Sequence, residues 1–481
     1  MELTELSATR LSALIHARSV APSEVMAAYL ERLESVNGAV NAIVSPREPD
    51  VLMAEARALD DTPPQGWLHG IPFAIKDLAL TAGIRTTWGS PLHAKHVPLK
   101  DGLLAQRIRA AGAILTGKTN VPEWGQGSHT FNPVHGTTLN PYDLTRSAGG
   151  SSGGAAAALA ARMVWAADGS DMMGSLRNPA AFCNVYGFRP TWGLVTDEAE
   201  GDGFLSTLAT NGPMARDVED LARLLTVVAG ENPEKPFPRA NADWAAMLEG
   251  GISGLRIGWL GDWGGAYAME PGILPLCEAA LRQMEAMGAH VEPLPPPFPA
   301  EKLWDSWITL RAMLSAGSKA ALANDPEKRR LTKPETIWEV ERGAGLSAVA
   351  AYEASLIRSR WYAHAARLFE RFDLLVLPSA QVWPFPAEWR WPETVAGRAM
   401  DTYHRWMEVV IPASLASLPA LSVPVGFSEG GLPMGMQLIG RAGADGAVLS
   451  AGHAWHLATG WPQARPPGIT AAPESAGVPA T

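Results

Sequence analysis

Two clusters of glycine and serine contain residues whose types and spacing could do chemistry. The first is Gly149-Gly150-Ser151-Ser152-Gly153-Gly154, and the second, Gly174-Ser175, begins 20 residues after Gly154. Glycine lets the backbone take conformations that other residues avoid, so a neighbouring serine can be held in a sharp turn with its hydroxyl exposed. Such a serine is typical of a nucleophile or a proton relay.

Two other interpretations of the first cluster remain open from the residues alone. A run of glycine and serine can be a flexible linker, although a strongly helix-forming segment, 155–163, follows directly. The run also fits G-x-S-x-G, the nucleophile elbow of α/β-hydrolases. A match of five residues is weak evidence, so the surrounding sequence has to decide.

A lysine upstream stands where a strand delivers side chains to a site. The segment Gly70-Ile71-Pro72-Phe73-Ala74-Ile75-Lys76-Asp77 indicates a turn followed by an apolar strand that ends on Lys76. Farther along, hydrophobic periodicity and turn residues predict the other elements. We expect helices at 7–18, 22–36, 51–59, 101–111, 218–229, 274–287, 301–323, 345–372 and 444–458, and strands at 41–45, 113–116, 255–260, 290–294, 373–378, 420–425 and 434–439.

Three separated motifs occur in one order: G-I-P-F-x-x-K-D, G-G-S-S-G-G and D-x-x-G-S-x-R-x-P-A. Together they resemble the amidase signature family of serine hydrolases. The resemblance continues at 187–191, 418–424 and 431–440 and covers roughly residues 5 to 460. It implies an α/β fold, an α/β/α sandwich around a large mixed sheet.

The same resemblance implies the organisation of the chain. We expect one amidase signature domain over 1–461, with core motifs in 67–200 and 373–458 and a helical capping insertion at about 235–370. Residues 462–481 are rich in proline, alanine and glycine and are expected to form a loose C-terminal tail.

By motif position, the resemblance implies that Lys76 is the general base, Ser151 the bridging serine and Ser175 the nucleophile that becomes acylated. A lysine accepts a proton only when neutral, and its unperturbed pKa is about 10.4. Burial lowers that pKa because desolvation disfavours the ammonium. We therefore expect a rate that rises into alkaline pH. A solvated Lys76 paired with Asp77 is the alternative.

An oxyanion hole is expected from backbone N–H groups around the nucleophile, which belong to Met172, Met173, Gly174 and Ser175. Relatives usually carry glycine where Met173 stands and a small or β-branched residue where Met172 stands. Backbone donors do not require glycine, so the hole is retained while two thioethers crowd the acyl pocket. Asp171 and Arg177 are interpreted as scaffold, either an ion pair or a loop anchor.

A second motif points to nucleotide chemistry and is rejected. Residues 112–119 obey G-x-x-x-x-G-K-T, the P-loop pattern. A P-loop needs a strand before the first glycine and a helix after the threonine, but here a helix precedes it and Val121-Pro122 follows. The resemblance instead makes 118–120 a structural loop that leads to Gly125, a residue expected to border the substrate.

Composition limits the partners and the compartment. The chain has 481 residues, 47% of them hydrophobic and 18% charged, with a net charge of -10. This balance argues against nucleic acid or an anionic membrane as main partner.

Cys183 and Cys277 have apolar neighbours and are expected to be buried thiols in a reducing cytoplasm. No signal peptide or membrane span is predicted, and a homodimer remains possible.

No cofactor or metal is predicted. His129 and His135 lie in one loop without a metal-ligand spacing around them. Lone histidines of this kind are more often structural or surface groups, so we expect no metal ion.

Many of the 18 tryptophans fall between 301 and 406. They either line an aromatic substrate entrance or serve ordinary helix packing. With the resemblance, they favour an amidohydrolase for a small hydrophobic or aryl amide, with ester and carbamate (urethane) hydrolysis possible. Three alternatives remain: a glutaminase subunit of a tRNA-dependent amidotransferase, an α/β-hydrolase-type esterase pairing Ser151 with a histidine such as His453, and a non-catalytic binding scaffold.

Overall fold

The computed structural model describes residues 2–198 and 200–469. Its strands are β1 (Ile43–Val44), β2 (Pro72–Lys76), β3 (Ile114–Thr119), β4 (Phe131–Asn132), β5 (Gly136–Thr137), β6 (Leu139–Asn140), β7 (Asp143–Ser147), β8 (Ala166–Asp171), β9 (Tyr186–Arg189), β10 (Thr210–Ala215), β11 (Arg256–Trp259), β12 (His290–Pro293), β13 (Leu374–Pro378), β14 (Thr394–Val395), β15 (Arg398–Ala399), β16 (Ala420–Phe427) and β17 (Pro433–Ile439).

The α-helices are α1 (Ala8–His16), α2 (Pro22–Val40), α3 (Pro49–Leu59), α4 (Leu103–Ala110), α5 (Gly153–Ala160), α6 (Arg177–Phe182), α7 (Val218–Val228), α8 (Ile273–Ala286), α9 (Ala300–Asn324), α10 (Pro326–Leu331), α11 (Pro334–Ala344), α12 (Ala348–Leu368), α13 (Ile411–Leu415), α14 (Asp445–Thr459) and α15 (Trp461–Ala464). Short 3-10 helices cover Leu3–Glu5, Pro91–His93, Glu123–Gly125, Ala245–Gly250 and Arg405–Val410.

Within the described residues, an eight-stranded mixed sheet forms the centre of the fold. Its strand order is β12-β11-β13-β17-β16-β9-β10-β8. The pairs that β11 makes with β12 and β13 are parallel, and the other pairings are antiparallel. Strands β13 and β17 are buried along their whole length, as expected for strands covered on both faces. Helices α5, α6, α7, α8 and α14 pack against this sheet, which confirms the predicted α/β/α sandwich.

The strand that carries Lys76 belongs to a different, smaller sheet. Strand β2 pairs in parallel with β3, and β3 pairs with β1. Strand β2 also lies beside β8, the edge of the large sheet. The Lys76 N–H donates to Asp168 Oδ1 at 2.9 Å. The side chain of Asp168, on β8, therefore connects the two sheets through a hydrogen bond to the backbone of β2.

The P-loop pattern folds as a strand. Its last three residues, 117–119, complete β3, and the Lys118 ammonium donates to the carbonyl of Ala79 at 2.5 Å and to Thr81 Oγ1 at 2.8 Å. A P-loop lysine has to reach a phosphate instead. Lys118 is structural, as predicted, but residues 118 and 119 end strand β3 and do not form the predicted loop.

Helices dominate the segment 300–368, the core of the predicted insertion. Helix α9 packs along α11 and α12. Helices α10 and α11 are not among the predicted elements. Four tryptophans between 301 and 406 are at most 5% exposed: Trp304, Trp307, Trp361 and Trp406. They serve helix packing.

Both cysteines are buried free thiols, as predicted. Helix α15 occupies the start of the segment expected to be a loose tail, and Pro462 within it is buried; residues 470–481 lie outside the described range. No helix in the described chain combines the length and the apolar character needed to cross a lipid bilayer.

Candidate active site

The first glycine–serine cluster turns the chain from β7 into α5. The peptide bond between Gly150 and Ser151 is cis. Gly149 has a φ of +74°, and a Cβ atom there would lie 2.9 Å from the Cα of Pro179. Only glycine combines that backbone conformation with so close a neighbour. The close packing at Gly149 makes the cluster a fixed turn, and the linker interpretation is wrong.

A buried carboxylate shapes the second cluster. Asp171 Oδ1 accepts the Gly174 N–H at 2.8 Å, and Oδ2 accepts the Leu176 N–H at 3.2 Å. Arg177 donates Nε and Nη2 to the same carboxylate, both at 3.0 Å. Burial alone raises the pKa of Asp171, but Arg177 and Arg189 outweigh it and hold that pKa well below its usual range. The predicted scaffold role of Asp171 and Arg177 is confirmed.

Lys76 lies where the two clusters meet, with only 1% of its surface exposed. Its Nζ atom donates to three hydroxyl oxygens: Ser151 Oγ at 2.9 Å, Ser152 Oγ at 2.7 Å and Ser170 Oγ at 3.0 Å. Burial lowers its pKa to about 7, although Asp168 and Asp171 act in the opposite direction. A substantial fraction of the amine is therefore neutral near pH 7.

The alternative of a solvated Lys76 paired with Asp77 is wrong. Asp77 is fully buried and accepts the backbone N–H and the hydroxyl of Thr87, at 3.0 Å and 2.5 Å. Sequence reasoning missed Ser152 and Ser170 as partners of Lys76. Ser152 adjoins Ser151 and could have been included, whereas nothing in the sequence marks Ser170.

Ser151, Ser170 and Ser175 line one cavity of about 550 Å³. Ser175 is 8% exposed, and its carbonyl accepts the Ser152 N–H at 3.2 Å, which ties the two clusters together. No hydrogen bond joins the side chains of Ser151 and Ser175 among the described contacts. Both hydroxyl-bearing residues nevertheless face the same enclosed space.

Three backbone donors remain around Ser175. The N–H groups of Met172, Met173 and Ser175 have no acceptor in the described part of the chain. Gly174 corrects the prediction, because its N–H is held by Asp171. Gly174 contributes a left-handed turn, with a φ of +79°, and Met172, Met173 and Ser175 are left as the candidate donors of the predicted oxyanion hole.

The rest of the cavity wall combines apolar and charged side chains. Gly125, with a φ of +66°, is part of it, as expected. The apolar members are Leu78, Trp124, Met172, Met173, Leu205, Met313, Leu314 and Met407, and the charged ones are Glu200, Asp202, Arg311 and Lys319. None of the tryptophans between 301 and 406 contributes to this lining in the described structure. Of the two interpretations left open for these tryptophans, helix packing is the one that the structure favours.

The histidines belong to other contacts. His129 pairs with Ser147 Oγ at 2.7 Å and with a carbonyl at 3.0 Å, and His135 pairs with Thr87 at 3.1 Å. No described histidine, His453 included, lines the cavity. The α/β-hydrolase alternative thus lacks its base. No group of three or more His, Cys, Asp or Glu among the described residues could hold a metal ion, and the absence of a metal stays a prediction.

Comparisons with known proteins agree with this geometry. The Amidase family model matches residues 24–449. One subunit of the glutamyl-tRNA(Gln) amidotransferase of Moorella thermoacetica is 34% identical over 97% of this chain and 99% of its own length. An acylamidase of Rhodococcus erythropolis is 31% identical over 96% of this chain and 97% of its own length.

A solved structure is similar along nearly the whole chain. It is a bacterial aryl acylamidase of the amidase signature family, with a TM-score of 0.89 and 28% identity, covering 96% of this chain and 99% of that one. The family match over most of the chain, the relatives above 30% identity and the shared fold lead to one conclusion: this chain belongs to the amidase family and is a hydrolase of carbon–nitrogen bonds in amides.

Proposed function

We propose that the protein hydrolyses a small hydrophobic or aryl amide through an acyl-enzyme on Ser175, with Ser151 as proton relay and Lys76 as base. The observation that carries this proposal is the 2.9 Å hydrogen bond between Lys76 Nζ and Ser151 Oγ, made by a lysine whose pKa burial lowers to about 7. A base with a pKa near the working pH is best suited to proton transfer.

The first half of the reaction acylates the enzyme. Neutral Lys76 takes the proton of Ser151 while Ser151 takes the proton of Ser175, and Ser175 Oγ attacks the amide carbon. We expect Ser151 Oγ and Ser175 Oγ to come within hydrogen-bonding distance when substrate fills the cavity, because catalytic hydrogen bonds tighten in the enzyme–substrate complex. The N–H groups of Met172, Met173 and Ser175 receive the oxyanion, and each such donor is worth several kcal/mol.

The second half releases both products. The carbon–nitrogen bond breaks as the amine nitrogen takes the proton returned from Lys76 through Ser151, and the amine leaves. Water then loses a proton along the same route and attacks the acyl carbon, and the acid departs as Ser175 recovers its proton. Lys76 ends as it began, as a neutral amine.

The substrate class follows from the cavity and from the relatives. Methionine and leucine side chains form most of the apolar wall, and flexible thioethers adapt to varied apolar groups. Two similar proteins are an acylamidase and an aryl acylamidase. Esters and carbamates (urethanes) share the carbonyl that Ser175 attacks and are included among the substrates to be tested.

A second candidate function is the glutaminase subunit of a tRNA-dependent amidotransferase. It is favoured by the relative of Moorella thermoacetica, which matches nearly end to end. In that case glutamine is the amide, and the chain acts together with other subunits. If this second function is correct, the prediction that nucleic acid is not a partner would be wrong, and so would the suggestion of a homodimer.

One experiment separates these functions. The purified chain is assayed alone on 4-nitroacetanilide, an aliphatic amide, glutamine, an ester and a carbamate, as wild type, as Ser175→Ala and as Ser359→Ala. Ser359 is an exposed serine on α12 and serves as matched control. We expect anilide hydrolysis by wild type and control only, with a fluorophosphonate adduct on Ser175 by mass spectrometry. Glutamine hydrolysis that appears only with added partner subunits supports the second function, and full activity of Ser175→Ala contradicts both.

A further inference from the structure

Three polar residues form a stripe on the wall of the cavity. Arg311, Ser315 and Lys319 all lie on α9 and all line the cavity. Their spacing of four residues places them one above the other on a single face of the helix. Helix α9 thus presents two cationic side chains to the space that Ser175 faces.

A single buried carboxylate neutralises only one of these cations. Glu339 Oε1 accepts Arg311 Nε at 2.6 Å and the hydroxyl of Tyr403. Glu339 Oε2 accepts Ser315 Oγ and Gln126 Nε2, both at 2.7 Å. The carboxylate has four donors, so its charge and its acceptor sites are already used.

Two nitrogen donors in the stripe remain without a strong acceptor. Arg311 Nη1 contacts only the thioether sulfur of Met172, at 3.6 Å, and sulfur is a weak acceptor. The ammonium of Lys319 makes no hydrogen bond and no ion pair with any described residue. Lys319 is half-buried, and desolvation lowers its pKa although Glu339 acts in the opposite direction. A desolvated charge without a partner is unfavourable unless a ligand supplies one.

The acids in the lining do not hydrogen-bond or pair with these donors in the described structure. Asp202 accepts the N–H groups of Leu205 and Ser206 at 2.7 Å and 2.8 Å. Glu200 is exposed and makes no ion pair with Arg311 or Lys319 among the described contacts. On α9 itself, the two positive charges of Arg311 and Lys319 meet the single negative charge of Glu339, while the two acids place their charges elsewhere in the same lining.

We propose that the cavity selects amides that carry a carboxylate, which Lys319 and Arg311 Nη1 bind while the methionine and leucine side chains hold the apolar part of the molecule. This inference rests on the proposed function and names its substrate class. Charge-assisted hydrogen bonds to a carboxylate are about twice as strong as neutral ones, and the two nitrogens supply them without disturbing Glu339.

The test compares matched anilides. Wild type, Lys319→Met and Lys302→Met are assayed on glutaryl-4-nitroanilide and on its methyl ester, and then on a pair with the carboxylate on the amine side. Lys302 lies on the same helix but is exposed and outside the cavity. We expect wild type to prefer one acidic substrate by about tenfold in kcat/KM, mainly through KM, and Lys319→Met to remove that preference. Lys302→Met keeps it.

A binding measurement separates this inference from the reaction. Ser175→Ala and Ser175→Ala/Lys319→Met are titrated calorimetrically with glutaryl-4-nitroanilide and with its methyl ester. Tighter binding of the acid, lost with Lys319, supports the inference even if no amide is hydrolysed, an outcome that would count against the proposed function alone. Equal binding of acid and ester, or a preference that survives Lys319→Met, overturns it.

Discussion

The Nζ atom of Lys76 lies 2.9 Å from Oγ of Ser151. Lys76 ends strand β2, whereas Ser151 lies in the turn between β7 and α5, in a different motif. The lysine is 1% exposed and donates to two further hydroxyls. No carboxylate hydrogen-bonds its ammonium in the described structure. The burial that lowers the pKa of Lys76 therefore also lowers the stability of the folded chain, because it removes the charged amine from water.

The pH dependence of hydrolysis follows from Lys76. Burial lowers its pKa to about 7, and only the neutral amine accepts a proton. We expect kcat/KM to rise about tenfold per pH unit below that value and to level off above it. This profile corrects the rise into alkaline pH that was expected from the sequence alone. Steady-state rates on an anilide between pH 5 and pH 10 measure the profile. A midpoint near pH 10, or no change between pH 6 and pH 8, would contradict the role of Lys76 as base.

Replacing Lys76 with methionine should abolish hydrolysis and stabilise the fold. Below about pH 7 the folded state holds a charged, desolvated amine, and above it the folded lysine is neutral while the unfolded one remains protonated up to about 10.4. The unfolded state then binds more protons, so wild-type stability rises with pH through this window. We expect Lys76→Met to gain about 2 kcal/mol at pH 6, a gain that shrinks towards pH 10.

Urea unfolding at pH 6 and pH 9.5 measures this difference. Lys302→Met is the matched control because Lys302 is exposed, and its effect should stay within about 0.5 kcal/mol. Equal destabilisation of Lys76→Met at both pH values would show that its hydrogen bonds outweigh the desolvation of its charge.

Asp171→Asn should destabilise the protein strongly. The substitution leaves Arg177 and Arg189, both fully buried, without a carboxylate. Removing one partner of a buried ion pair costs about 3 to 5 kcal/mol. The exposed i,i+4 pair of Glu219 with Arg223 provides the control, because Glu219→Gln should change the free energy of unfolding by less than about 1 kcal/mol. Thermal or urea unfolding distinguishes the two, and similar effects would contradict the scaffold role of Asp171.

Gly125→Ala should lower turnover more than it lowers stability. A Cβ atom there would lie 2.8 Å from Leu78 Cδ1 and 3.7 Å from Ser151 Oγ, at a φ of +66°. We expect about 1 kcal/mol of backbone strain and a fall in kcat/KM. The control is Gly38→Ala in α2, where nothing lies within 4 Å, and which should gain about 0.5 to 1 kcal/mol. If kcat/KM of Gly125→Ala equals that of the wild type, Gly125 does not border the substrate.

Much of the fold could be predicted from hydrophobic periodicity. The predicted helices at 274–287 and 301–323 and the strands at 373–378 and 434–439 agree with the structure to within about two residues. Helices α10 and α11 were missed because charged residues dominate 326–344. Both begin with proline at an N-terminal position, a start signal that could have located them.

The candidate site was predictable only where a local motif marks it. Lys76, Ser151 and Ser175 each lie in a conspicuous segment. Ser170 approaches Lys76 through the lateral packing of β8 on β2, and no local pattern encodes that contact. The sequence could not decide between an entrance and helix packing for the tryptophans, although a large apolar side chain on an amphipathic helix faces the core more often than a cavity.

The placement of Lys76 on the small sheet and of Ser175 beyond the edge of the large one has a consequence for refolding. The two sheets share no ladder hydrogen bonds, and hydrolysis requires that they be joined, as the Lys76 N–H and Asp168 join them. Regain of enzymatic activity after dilution from denaturant should therefore lag behind the circular dichroism signal. The catalytic assay thus reports when the final assembly of the molecule is complete.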